Sequence, residues 1–99
     1  MSVSCSADAA LARPPVAVRF MLDADASPGL LMRVLHPFAR RDLTPDRMWS
    51  HRSGETVHVE IALAAMPAEE VHLVAGNLRQ MVGVHQVTEL RPEAVRAVA

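Results

Sequence analysis

Histidine is the first place to look for chemistry in this sequence, which has five of them, His36, His51, His58, His72 and His85. A structural or catalytic metal needs several such ligands at recurrent spacing. His51 and His58 flank a turn and meet only if the segments on either side pair. No Cys-x-x-Cys or His-x-x-x-His pattern accompanies them, and no carboxylate cluster does either. They read as ordinary exposed histidines, and no metal is expected. Asp23 and Asp25 stand two apart in a short polar stretch, with no histidine placed beside them by local spacing. Loop carboxylates more often cap or stay solvated than catalyse, and Ser27 has no neighbouring base. The sequence therefore offers no catalytic residue and implies no cofactor.

The elements that must position these residues centre on Ala26–Arg41, a sharp turn running into an amphipathic segment. Ser27 is a suitable N-cap, and Pro28 suits the first helical position, where its missing N–H costs nothing. Gly29 allows a close approach to the free N–H groups of the first turn. Leu30, Leu31, Val34, Leu35 and Phe38 form one apolar stripe. Two readings stand side by side: a well-capped core helix, and a helix start that receives a ligand or partner. Arg33, His36 and Arg40 share another face, which is either solvated, the preferred reading, or turned to an acidic partner. Pro37 removes the N–H that would bond the Arg33 carbonyl, so either a kink near His36 or an early helix end is expected.

Bulk properties set the frame. Ninety-nine residues make one domain with a modest core, and an apolar fraction of 51% favours a globular chain. A net charge of -1 argues against a general binder of nucleic acid or anionic membrane. No apolar run approaches the ~20 residues of a bilayer span, and the N-terminus lacks the pattern of a secretory signal. One cysteine, Cys5, makes no internal disulfide, and a cytoplasmic protein is the simplest inference.

Residues 1–15 are rich in Ala and Ser, close with Pro14-Pro15 and read as a flexible tail. The ordered domain is expected over 16–90, with a second tail over 91–99. Val16, Val18, Phe20 and Leu22 alternate with less apolar neighbours, as in a strand with one buried face. Leu43–His51 is the second strand, and Pro45 assigns it to a sheet edge. Arg52-Ser53-Gly54-Glu55 has turn chemistry and leads to a third strand. There Val57, Val59, Ile61 and Leu63 face one way, and His58, Glu60 and Ala62 the other. A second helix starts at Pro67, with Val71, Val74, Ala75, Leu78 and Val82 as its stripe and Gly83 as its stop. Val84–Leu90 is the fourth strand, and the spacing of Val84 and Val87 implies an irregular entry or a bulge.

The order is β-α-β-β-α-β, and right-handed crossovers give a ferredoxin-like α+β domain. Its four-stranded antiparallel sheet carries two helices on one face. Many functions share this fold. Metal chaperones with it carry a cysteine pair in the loop after the first strand, where this chain has Asp23–Ser27. RNA-binding members stack bases on strand aromatics, but here Phe20 and Phe38 belong to apolar faces and no tyrosine exists.

The run Ser27-Pro28-Gly29-Leu30-Leu31 after a strand, then Arg41-Asp42-Leu43-Thr44-Pro45, a hairpin, a helix and Gly83-Val84-His85-Gln86-Val87, resembles the ACT domain. This is a small-molecule-sensing module of amino-acid metabolism, and the resemblance covers about residues 16–90. A free-standing domain of this length is most similar to the short regulatory subunits of acetolactate synthase, which bind a large thiamine-dependent catalytic subunit. The resemblance implies a non-catalytic regulator whose copies pair edge strands and hold an amino acid at the interface. Gly29 and Leu30 match the turn that offers N–H groups to the effector carboxylate. Ala26 stands where the family commonly has Asn or Asp, Thr44 where the synthase subunits often have Asn, and Asp42 where a glycine often ends the first helix. Asp25 is the neighbour able to substitute for the side chain missing at Ala26, and Ser27 completes the ligand-binding set.

Edge physics independently implies a homodimer through the second strand, with Leu43, Pro45, Arg47, Trp49 and His51 at or beside the interface. Trp49 should point to the open face of the sheet near Met21, with Met48 facing the helices. Three functional classes stay open: a regulatory subunit of a synthase, a free-standing amino-acid sensor, and an interaction module without a ligand.

Overall fold

A computed structural model of the chain describes residues 14–91; of the tails read over 1–15 and 91–99, all but residues 14, 15 and 91 lie outside the described residues. The elements are β1 (Val16–Asp25), α1 (Leu30–Ala39), β2 (Arg47–Ser53), β3 (Thr56–Met66), a 3-10 turn (Ala68–Glu70), α2 (Val71–Arg79) and β4 (Val84–Leu90). The sheet order is β2-β3-β1-β4, with each neighbouring pair antiparallel. This is the ferredoxin-like arrangement expected from the sequence.

β1 is central and paired on both sides, so strict alternation decides its two faces. Val18, Phe20, Leu22 and Ala24 are buried, while Arg19, Asp23 and Asp25 are exposed. From β3, Val57, Val59, Ile61 and Leu63 join the same core, with Val87 from β4. The helices close it with Leu30, Val34, Pro37 and Phe38 from α1 and Val71, Val74, Ala75 and Leu78 from α2. Phe20 and Phe38 meet edge to face with centroids 5.5 Å apart, an arrangement that suits their ring quadrupoles.

Several local expectations are corrected. Gly29 takes the N-cap position of α1 in a left-handed conformation (φ 77°) and has no side chain to cap it, so Ser27 and Pro28 belong to the turn and Ser27 makes no side-chain cap. The buried face is Leu30, Val34, Pro37 and Phe38, turned slightly from the expected stripe: Leu31 is 39% exposed and Leu35 is only half-buried. Pro37 sits inside α1, which runs two residues past it; its ring is buried, and the burial offsets the lost hydrogen bond. A left-handed turn at Asp42 (φ 57°) then reverses the chain, fitting the place where the resemblance puts a glycine.

β2 begins at Arg47, not Leu43, because Pro45 has no N–H for the ladder and pairing starts with Asp46. The Asp46 N–H donates to the Ala62 carbonyl (2.9 Å), and its carboxylate accepts the Ala64 N–H (2.6 Å). Leu43 and Pro45 thus lie in the approach to the edge strand, and Leu43 packs against the core. α2 ends at Arg79, so Gly83 serves the turn into β4, and Val82, beyond the helix, is 83% exposed. The bulge at β4 is present: Asp23 pairs with Gln86 and Ala24 with Val84, leaving His85 extra.

Two substitutions separate the observed burial from the sequence stripe. Phe38→Ala should lower unfolding stability by about 3–5 kcal/mol, and Leu31→Ala by about 1 kcal/mol or less. Urea denaturation of both variants measures the difference, and equal losses would contradict the helix rotation described.

Candidate functional site

Two regions gather polar groups: a groove beside the turn into α1, and the open face of the sheet. The groove, about 440 Å3, is lined by Ala26, Ser27, Pro28, Leu30 and Leu31 from the turn and by Ser50, Arg52 and Val57 from the hairpin. β2 is the exposed edge of the sheet along its whole length. Alternation turns Ser50 and Arg52 to the helix side while Arg47, Trp49 and His51 take the other side. The turn is tied down by the Ala26 N–H donating to the Glu55 carbonyl (2.8 Å) and the Leu30 N–H to that of Ser27 (3.2 Å). Among the described residues the N–H groups of Gly29, Leu31 and Met32 reach no acceptor. No acidic residue stands in the first turn of α1. The positive end of this helix is therefore uncapped, the condition that favours a carboxylate or other anion.

Of the ligand set read from the sequence, Ala26, Ser27 and Leu30 line this groove and Gly29 lies in the same turn. Thr44 does not line it; it stands in the loop before β2. Asp25 turns to the open face instead, where its carboxylate meets His85 Nε2 at 2.7 Å. Ser50, Arg52 and Val57 were missed in the sequence, although alternation through the hairpin register would have paired Ser50 with Val59 and Arg52 with Val57 as observed.

On the open face Trp49, Glu60, Met21 and Thr88 form one cross-strand row, and His51, His58, Asp23 and Gln86 the next. Trp49 is 53% exposed, while Met48 opposes the core residue Ile61, so both point as the sequence implied. The indole stacks on His51 (centroids 6.1 Å) and meets His58 edge to face (5.7 Å). His58 is not an ordinary exposed histidine. Its Nδ1 lies 2.8 Å from Asp23 Oδ1 and its Nε2 lies 3.0 Å from Glu60 Oε2. A neutral imidazole would aim a lone pair at one of these carboxylates, whereas the imidazolium donates to both. Asp23 first, then Glu60, raises the His58 pKa above the ordinary imidazole value. The signal was available in the antiparallel register of β1 with β3, which sets Asp23 opposite His58. Among the described residues no three His, Cys, Asp or Glu side chains are grouped to hold a metal. No helix there is long and apolar enough to cross a membrane.

The sign of the pH effect follows from that cluster. A histidine with a raised folded pKa adds stability that is fully present below its unfolded value, about 6.5, and is lost as pH rises through the folded value. Asp23→Asn and Glu60→Gln should each bring the NMR titration midpoint of His58 back toward the ordinary value. They should also flatten the fall in melting temperature above neutral pH. A wild-type midpoint at or below that of a model imidazole would contradict the assignment.

The sequence matches the family model described as the ACT-like domain over residues 12–96. Among solved structures, the crystal structure of the ACT domain from GTP pyrophosphokinase of Chlorobium tepidum is similar, with TM-score 0.67 at 10% identity over 77% of this chain and 99% of that one. The solution structure of the same domain gives 0.63 at 11% identity, over 75% and 84% of the two chains. An uncharacterized protein from Thermotoga maritima gives 0.63 at 12%, over 77% and 95%. At these identities the likeness is one of fold. No curated protein matches the chain by sequence. The family match spans both the uncapped turn and the edge strand described above, and the chain belongs to the ACT-like domain family.

Proposed function

We propose that this chain is a non-catalytic regulatory domain that acts as a homodimer through β2. In this reading it modulates a biosynthetic enzyme such as acetolactate synthase and takes an amino acid as effector. The observation that carries the reading is the uncapped first turn of α1 beside a groove whose other wall is the free edge strand. Domains of this family are generally regulatory, and an effector carboxylate at the α1 turn supplies the missing cap. Pairing β2 with the β2 of a second copy satisfies its outward N–H and C=O groups. It also draws the approach segment with Thr44 and Pro45 toward the partner, and it narrows the open side of Trp49.

The effector's ammonium has a weaker anchor. Ala26 contributes no polar side chain, and Asp25 is engaged with His85. Wild-type affinity for valine, leucine or isoleucine is accordingly weak, and specificity rests on the carboxylate and the apolar contacts with Leu30 and Leu31.

Calorimetric titration with these amino acids should give weak saturable binding, and Ala26→Asn should tighten it by about tenfold, the worth of one well-made hydrogen bond to a charge. An Ala26→Asn variant indistinguishable from wild type would place the effector elsewhere. Mixing with a purified acetolactate synthase large subunit should shift the elution of both chains together; separate elution would leave the free-standing sensor and the ligand-free interaction module as the readings that survive.

A further inference from the structure

The basic face of α1 is not used by any role described so far. Arg33, His36 and Arg40 line a second groove, about 470 Å3, whose other wall is Asn77 and Gln80 of α2 and its C-terminal turn, with Pro37 and Met81 as the apolar lining. Each polar side chain there can donate, and no carboxylate lines the groove. Among the described residues neither Arg33 nor Arg40 forms an ion pair. Arg33 is positioned by neutral acceptors, with Nη2 donating to Ser27 Oγ (3.3 Å) and Nη1 to the Val82 carbonyl (3.5 Å). Those bonds orient the guanidinium and leave its charge uncompensated. This concentration of donors occurs in a chain whose net charge is only -1.

The spacing restricts the ligand. Arg33 and Arg40 are two helical turns apart, roughly 10 Å along the axis, with His36 between them. A single carboxylate or phosphate reaches one end of this row. Its few acceptor oxygens also fall short of the donors that Arg33, His36, Arg40, Asn77 and Gln80 present. Linked phosphoryl groups match both the length and the number of acceptors, and guanidinium forks suit phosphate oxygens. No aromatic side chain lines the groove, so nothing there stacks on a base.

We propose that the groove between α1 and α2 is a binding site for a small diphosphate- or polyphosphate-bearing molecule, held through its phosphoryl groups and not through any base it carries. Its lining shares no residue with the groove at Ala26–Leu31, although Arg33 bonds Ser27 of that turn, and the proposal does not require an amino acid to bind there.

Titration of the whole chain with inorganic pyrophosphate, tripolyphosphate and ADP, followed by calorimetry and by 31P NMR, tests it. Saturable binding of all three is expected, with pyrophosphate and ADP similar, and with affinity falling as salt rises. Arg40→Gln and the Arg33→Gln/Arg40→Gln pair should weaken binding by roughly tenfold or more, with circular dichroism reporting that they remain folded. Arg19→Gln, on the opposite face of the sheet, should leave it unchanged. Absence of saturable binding overturns the proposal, as does an equal loss from the Arg19 variant. Binding of a polyglutamate peptide without pyrophosphate binding also overturns it, by assigning the groove to a protein partner.

Discussion

The double pairing of β1 is the constraint on which the structure depends. A strand bonded on both sides cannot slip by one residue without sending Val18, Phe20, Leu22 and Ala24 to the open face and Arg19, Asp23 and Asp25 into the core. That register fixes β3, and β3 in turn fixes β2. It decides which histidine meets which carboxylate, and it carries Asp25 directly into the turn that starts α1. The functional surfaces are consequences of a packing choice made in the middle of the sheet.

The sheet therefore has two different sides. Under the helices lies a core with no buried polar or charged residue among those described. On the open side lie the Trp49 row and the His58 cluster, where charge is balanced within the sheet and not by solvent alone. The two grooves proposed to take ligands lie apart from that open face. The turn into α1 meets the edge strand at one border, and the interhelical groove opens on the side away from the sheet. A regulatory domain needs such separation, because one surface can answer a ligand while another holds a partner.

Periodicity made most of this legible in the sequence. The alternation of β1 and β3 identified both faces, and the Val84–Val87 spacing announced the bulge that frees His85 to reach Asp25. Boundaries were harder to read, for identifiable reasons. Ser27-Pro28 has the chemistry of a helix start, yet the left-handed Gly29 delays the helix, and the apolar stripe holds more leucines than the buried face takes in, so Leu31 lies outside it. Pro37 looks like a breaker, but tertiary burial outweighs the local penalty. The His58 pairings depend on contacts 35 residues apart, which local spacing does not reveal but the strand register does. For the candidate site, the turn was legible and its far wall was not, since Ser50 and Arg52 carry no motif and matter only through their side of β2.

Everything proposed for the assembly turns on whether the free edge of β2 is covered in solution. Hydrogen exchange of the β2 amides that do not pair with β3, followed by NMR from high to low protein concentration, measures this directly. Those Arg47–Ser53 amides should be protected at high concentration and lose that protection on dilution, while the core amides of β1 stay protected throughout. Rapid exchange of the same β2 amides at every concentration would contradict the proposed assembly.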